Sequence, residues 1–156
     1  MFTDFDRRMM RLALDQARLA LEAGEIPVGA VVARGDEALC AARNTREAKN
    51  DPAGHAEVNA LREAARRLGT WRLTGCALYV TLEPCCMCAG AVVQARLDRL
   101  VFGAWDEQAG CCGSLYRITE DPAFGHFTIA EGGLMADECA GLLAQGVARL
   151  RGDYRY

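Results

Sequence analysis

The chain has 156 residues and a net charge of −3, with 51% hydrophobic and 25% charged residues. These proportions are typical of a soluble globular protein, and the length predicts one domain over residues 1–156 with a substantial core. They exclude a strongly basic nucleic-acid binder. No apolar run approaches the roughly 18 residues of a membrane-spanning helix. The charged start of the chain is unlike a signal peptide, so we expect a cytoplasmic protein with no membrane partner.

Apolar spacing and turn residues predict the elements along the chain. Thr3 caps the first helix, and Pro84 opens a later one in the first-turn position where proline is tolerated. In chain order we predict a helix from Thr3 to Gly24, a hairpin of 28–33 and 38–42, a loop over 44–54, a helix over 55–68, a strand over 77–82, a helix over 84–95, strands over 100–104 and 128–130, and a helix over 136–151. The residues expected to face the core from the first and last helices are Phe5, Met9, Leu12, Leu19, Cys139, Leu142, Leu143 and Val147. Strands that alternate with helices after a hairpin predict an α/β protein with a mixed sheet between helical layers.

The eight cysteines favour metal binding or buried thiols over disulfides, because nothing in the sequence indicates export. Cys40, Cys76 and Cys139 stand alone in apolar stretches, and we expect them to be small buried hydrophobic residues. The adjacent residues Cys111 and Cys112 lie in a predicted loop, and the sequence indicates no further role for them.

One imidazole and two thiolates are spaced as ligands for a single zinc ion. His55 begins a predicted helix, while Cys85 and Cys88 are three residues apart in the first turn of another and so share a face. Cys86 should point elsewhere. Three protein ligands leave one tetrahedral position open, as catalytic zinc requires. Glu57, two residues after His55, is not needed as a ligand and can move protons for a water molecule activated by zinc.

Other interpretations of this motif remain open. Cys85 and Cys88 could form a redox pair, although His55 and Glu57 would then be coincidental. A structural zinc site would need a fourth ligand, for which the candidates are Cys86, Cys111 and His126. An inactive chain kept for assembly would be expected to lose Glu57.

Two polar residues near these motifs are also candidates for a role in the site. Glu83 stands at a strand end beside the ligand turn, which favours a hydrogen-bonding role behind the ligands. Asn44 offers both a donor and an acceptor to a base edge. Loop asparagines more often serve turns, however, so both interpretations of Asn44 remain open.

Longer motifs resemble one family. They are Glu25-Ile26-Pro27-Val28-Gly29-Ala30, Asn44-Thr45-Arg46-Glu47, Asp51-Pro52 before His55-Ala56-Glu57, Thr81-Leu82-Glu83-Pro84-Cys85-Cys86-Met87-Cys88, and Phe102-Gly103-Ala104 with Asp106 and Gly110. The resemblance runs from Glu25 through Gly113-Ser114-Leu115 and continues more loosely through Ala136-Asp137-Glu138-Cys139 to the last helix, so it covers nearly the whole chain. The pattern H-x-E followed by P-C-x-x-C is itself the signature of zinc-dependent nucleobase deaminases. The sequence closely resembles the bacterial tRNA-specific adenosine deaminases of the cytidine-deaminase-like superfamily.

The resemblance implies a three-layer α/β/α fold with a five-stranded mixed sheet, one Zn²⁺ per chain and a homodimer. It implies hydrolytic conversion of adenosine to inosine at the wobble position, in a tRNA anticodon loop. His55, Cys85 and Cys88 would hold the metal, and Glu57 would carry the protons. Asn44 would contact the extruded base, the backbone N–H of Ala56 its C6 substituent, and Asp106 the anticodon backbone.

The sequence departs from its relatives where RNA would touch it. A lysine common after Asp106 is absent from Glu107-Gln108-Ala109-Gly110, Gly125 precedes His126 where asparagine is common, and Gly146-Val147 replaces a frequent aromatic pair. Trp105 and Tyr154 could stack on bases instead, but their context favours core or surface roles. These departures leave an alternative function, in which a zinc aminohydrolase of the same fold acts on a free base or nucleoside such as guanine or cytosine.

Overall fold

The computed structural model describes the backbone of residues 1–153 and the side chains of residues 1–150, so Tyr154 lies outside the described residues. Its helices and strands are α1 Asp4–Glu22, β1 Gly29–Arg34, β2 Glu37–Arg43, α2 Arg46–Lys49, α3 Ala56–Leu68, β3 Cys76–Leu82, α4 Cys86–Ala95, β4 Arg99–Ala104, β5 Ile129–Gly132 and α5 Ala136–Asp153. None of the helices in this part of the chain combines the length and apolar character needed to cross a membrane.

The five strands form one mixed sheet in the order β2-β1-β3-β4-β5. β1 pairs antiparallel with β2 and β3, whereas β3, β4 and β5 are parallel to one another. Helices α1 and α5 cover one face, and α3 and α4 cover the other. The predicted three-layer α/β/α architecture with a five-stranded mixed sheet is therefore confirmed.

The side chains of the central strands point alternately to the two faces of the sheet, and they contribute to a hydrophobic core on each face. In β3, Leu78 and Val80 pack towards α3 and α4, while Tyr79 packs towards α1. Side chains of successive strand residues point to opposite faces, so a strand covered on both sides is apolar throughout. Cys40, Cys76 and Cys139 are buried, as expected. Cys111 and Cys112 lie in a loop, as predicted, and are buried against the core on the α3 and α4 side.

Three local predictions were wrong. The polar segment expected to be a loop contains the short helix α2. Pro84 precedes the helix instead of opening it, because Cys85 has the extended backbone of an N-cap. Leu12 and Leu19 are exposed. Each lies two residues from a buried position of α1, which is about 200° around a helix, so both faces could not be buried.

Candidate active site

Two helix N-termini meet at the carboxyl end of β3, and this meeting builds the site. His55 is the N-cap of α3, and Cys85 is the N-cap of α4. Ligand sites of open α/β sheets form outside the carboxyl ends of the strands. Both helix termini direct positive partial charge at the site, which stabilises thiolate ligands.

The three predicted metal ligands converge. The Nδ1 atom of His55 lies 3.6 Å from Sγ of Cys85 and 3.4 Å from Sγ of Cys88. A tetrahedral zinc with Zn–S near 2.3 Å and Zn–N near 2.0 Å separates nitrogen from sulfur by about 3.5 Å. All three donor atoms lie within 4.8 Å of one another. The donor set and its spacing therefore fit zinc.

The other candidate ligands are not part of this group. Cys86 is exposed while Cys88 is buried, so the two sulfurs point in different directions. Cys111 donates to the carbonyl of Ala109, and His126 contacts the carbonyl of Leu97 at 2.7 Å. Among the described residues, only His55, Cys85 and Cys88 form a group that could hold a metal here. A tetrahedral zinc held by these three residues would therefore have a fourth position without a protein donor.

The electrostatics of the site favour a deprotonated Cys85 and a carboxyl group that can hold a proton, whereas the hydrogen bond with Cys85 and burial raise the pKa of Cys88. Hydrogen bonds with Cys88 and His55 lower the pKa of Cys85 to about 4, against the opposing effect of burial. Burial raises the pKa of Glu57 to about 7, although its own backbone N–H and His55 act in the opposite direction. A group that titrates near neutral pH is suited to proton transfer.

A cavity of about 200 Å³ opens beside these groups. Its lining consists of Ile26, Val28, Asn44, Arg46, His55, Ala56, Glu57, Leu82, Glu83, Cys85, Asp106 and Ala109. The cavity is smaller than the 300–1,000 Å³ of sites for drug-sized ligands, so a single base suits it better than a whole nucleotide. All the residues that sequence analysis assigned to substrate binding lie in this lining.

The three predicted substrate-binding residues differ in the hydrogen bonds that they already make within the protein. Asn44 is buried, and its Oδ1 accepts from the backbone N–H of Arg46 at 3.1 Å, so the side chain serves a turn and also faces the cavity. Ala56 is the first residue of α3, where a backbone N–H has no partner within the helix. Asp106 Oδ1 accepts from the N–H groups of Gln108 and Ala109.

Sequence analysis missed Arg46, which lines the cavity with half of its side chain exposed. The available signal was a basic residue two positions after Asn44 in a polar segment.

Trp105 is half exposed, and its ring packs edge-on against Phe102 with 4.8 Å between centroids. Gly146 lies against Pro27, where a Cβ would overlap the proline ring. This contact explains why no aromatic residue stands there.

Comparisons with known proteins agree with the site. The family model of MafB19-like deaminases matches residues 5–122. The tRNA-specific adenosine deaminase of Bacillus subtilis strain 168 is 43% identical over 146 residues, which cover 94% of this chain and 91% of the relative. A structure from a study of A-to-I editing by tRNA:A34 deaminases at the wobble position has a TM-score of 0.84 and 40% identity, over 86% of this chain and 98% of the other.

A more distant match bears on the alternative function. The structure of guanine deaminase from Bacillus subtilis has a TM-score of 0.60 and 36% identity, over 63% of both chains. That match covers less of this chain than the match to the tRNA:A34 deaminase structure does. The chain belongs to the tRNA-specific adenosine deaminases, a family of the cytidine-deaminase-like superfamily.

Proposed function

We propose that the protein converts adenosine to inosine at the wobble position of a tRNA anticodon by hydrolytic deamination. One observation carries the proposal: the donor atoms of His55, Cys85 and Cys88 converge beside buried Glu57 at the wall of a cavity sized for a base. Relatives with this function match nearly the whole chain. Family membership favours adenosine in tRNA over a free base.

We assign the metal to zinc, with His55, Cys85 and Cys88 as its ligands. When bound, zinc supplies Lewis acidity that makes a water molecule nucleophilic near neutral pH. Glu57 takes a proton from the attacking water and delivers protons to N1 of adenine and to the departing amine at C6. Water and adenosine thereby become inosine and ammonia, and no other reactant is needed.

The remaining cavity residues would bind and orient the base, which must leave its stack before C6 can be reached. Asn44 contacts the base edge through its amide group, and the N–H of Ala56 faces the C6 substituent. Asp106 is an anion, so it suits a donor such as a ribose 2′-hydroxyl and repels phosphate. Arg46, at the cavity, has the charge and exposure to meet a phosphate.

We further propose that residues 1–156 act as one cytoplasmic domain that pairs into a homodimer. An apolar groove of about 520 Å³ runs between α3 and α4 on the outer surface. It is lined by Val58, Leu61, Arg62, Ala65, Trp71, Ala91, Gln94 and Ala95. Trp71 is 60% exposed there, which a second copy would cover.

The direct test is mass spectrometry of a tRNA anticodon stem-loop with adenosine at the wobble position, after incubation with the zinc-loaded protein. The expected product is inosine at that position, with adenosine elsewhere unchanged. Guanine, cytosine, cytidine and free adenosine are assayed in parallel. Turnover of a free base without inosine in the RNA would contradict the proposal and favour the aminohydrolase.

A further inference from the structure

Two segments outside the sheet line the cavity. We call residues 44–48 the first wall, which contributes Asn44 and Arg46, and residues 106–114 the second wall, which contributes Asp106 and Ala109. Neither wall belongs to the sheet. Their backbone N–H groups therefore need partners other than strand neighbours, since an unpaired buried N–H is costly.

Glu83 holds the second wall. It is 1% exposed, and its Oε2 accepts from the N–H of Asp106 at 3.0 Å. Its Oε1 accepts from the N–H groups of Cys112 at 3.2 Å and Ser114 at 2.8 Å. The Ser114 hydroxyl also donates to Oε2. One carboxylate thus joins both ends of the wall by four bonds to a charged acceptor, which are stronger than neutral bonds.

Glycines in the second wall allow this close approach. A Cβ at Gly110 would overlap the Glu83 carboxyl group. A Cβ at Gly113 would lie 2.7 Å from the Trp105 ring, so Trp105 packs directly on the same wall. The wall is consequently wrapped around the Glu83 carboxylate, and Trp105 reports on its position.

Glu25 holds the first wall in the same manner. It is 2% exposed, and its two oxygens accept from the N–H of Glu47 at 3.1 Å and of Ala48 at 2.7 Å. These are the first-turn N–H groups of α2, which otherwise have no partner within the helix. The bond from Arg46 N–H to Asn44 Oδ1 completes the turn.

We propose that Glu25 and Glu83 are positioning residues that hold the two walls in the conformation that receives the base. This rests on the proposed function for the identity of the base. The two glutamates transfer no proton. They lie 22 to 31 residues along the chain from the groups they bind.

The kinetic consequence is a selective effect on KM. If only a fraction of the molecules has both walls in place, the apparent dissociation constant rises by the inverse of that fraction. Saturating substrate restores the ordered walls, so kcat stays nearly unchanged. A role in chemistry would instead lower kcat, and a role in stability alone would change neither parameter for the folded enzyme.

The test compares Glu25→Gln, Glu83→Gln and Ser114→Ala in the zinc-loaded protein with the anticodon stem-loop. Glutamine keeps the shape but turns an N–H group towards a donor. We expect KM to rise about tenfold or more in each glutamine variant, with kcat within about threefold and metal content unchanged. Ser114→Ala removes one hydroxyl donor, so its KM should rise less. A fall in kcat at unchanged KM would overturn the proposal.

A second measurement needs no substrate. Trp71 and Trp105 are the two tryptophans, so a Trp71→Phe background leaves Trp105 as the reporter. Glu83→Gln should increase acrylamide quenching of Trp105 without unfolding the protein, whereas Glu25→Gln, on the other wall, should not. Unchanged quenching in both variants would overturn the role of Glu83. If the parent protein made no inosine, the proposed function would fail, and quenching would still decide whether Glu83 orders its wall.

Discussion

Glu57 stands beside the ligand group without belonging to it. It is the second residue of α3 and is almost fully buried, facing the cavity. It lines the same cavity as His55 and Cys85, two of the three residues that would hold the metal. A proton carrier must reach the attacking water and also the base, and this is the place from which both can be reached.

Replacing Glu57 should separate metal binding from chemistry. We expect Glu57→Gln to lower kcat for inosine formation by about 10²- to 10⁴-fold, because general acid–base transfer contributes that much. Zinc content should remain about one per chain, since the three ligands are unchanged. Mass spectrometry of the RNA and atomic emission of the protein measure the two quantities.

Glu63 provides the matched control on the same helix. It pairs with Arg66 and Arg67 at the surface, away from the cavity. Glu63→Gln should therefore leave turnover unchanged, because exposed ion pairs contribute little. Full activity of Glu57→Gln would show that this carboxylate does not carry protons. Loss of its zinc would show instead that Glu57 contributes to metal binding, against the expected separation.

The residues of the site differ in how well a sequence predicts them. His55, Cys85 and Cys88 were predictable because each falls at a helix start that local spacing defines, and their convergence is confirmed. Glu25 was not, because its partners are the N–H groups of Glu47 and Ala48, more than twenty residues away. Backbone donors have no signature in side-chain identity, so a buried acid of this kind is invisible until the chain is folded.

At the scale of elements, α1 packs unusually close to the sheet. Small buried residues such as Ala13 and Ala17 face Gly29 at the start of β1. A Cβ at Gly29 would overlap the carbonyl oxygen of Ala13. This packing depends on small residues, which explains why a search for large apolar residues in α1 found Met9 but also picked the exposed Leu12 and Leu19.

Two glycine substitutions should therefore have opposite signs. Gly29→Ala should lower the free energy of unfolding by about 1–3 kcal/mol, because the backbone of α1 must shift. Gly141 lies in α5, and the Cβ of an alanine at this position would meet no atom outside its own helix within 4 Å. We therefore compare Gly29→Ala with Gly141→Ala. The second substitution should raise the free energy of unfolding by about 0.5–1 kcal/mol through helix propensity. Urea unfolding measures both; equal effects would contradict the close packing of α1 on β1.

An ionic network centred on the buried Asp6 ties α1 to three strands. Asp6 Oδ1 accepts from the Tyr79 hydroxyl and from Nη1 of Arg99, both at 2.7 Å. Arg99 also binds Glu131 at 2.6 Å. Burial alone would raise the pKa of Asp6, but hydrogen bonds from Arg99, the Thr3 backbone and Tyr79 outweigh it and hold the pKa well below its usual range.

The depressed pKa makes this stabilisation dependent on pH. The contribution of Asp6 is complete above the unfolded-state pKa of about 4 and is lost as pH falls below it towards the folded-state value. Asp6→Asn should cost about 3 kcal/mol at neutral pH, because Arg99 loses a buried partner but keeps Glu131. The difference between wild type and variant should shrink at about pH 3 in urea unfolding. A constant difference would show that Asp6 acts through shape alone.

At the scale of the whole molecule, one of the two helical layers carries the surface through which we propose that two copies pair. The layer of α3 and α4 carries the apolar groove beside Trp71, with Ala91 on one of its sides. In an isologous dimer every interface residue occurs twice, so one substitution disturbs the contact at two places. A stable interface buries about 800 Å² on each partner, and in the proposed dimer the groove would supply its apolar centre.

Ala91→Arg should therefore separate the proposed dimer. The side chain would place a charge in the groove of each copy, where it has no partner and loses hydration. We expect sedimentation equilibrium to give about twice the 16.9 kDa chain mass for the wild type and the single chain mass for the variant. Ala148→Arg adds the same charge to an exposed position of α5, in the opposite layer, and should stay dimeric. If both arginine variants remained dimeric, the copies would have to meet on another face, and Trp71 would need a different occupant.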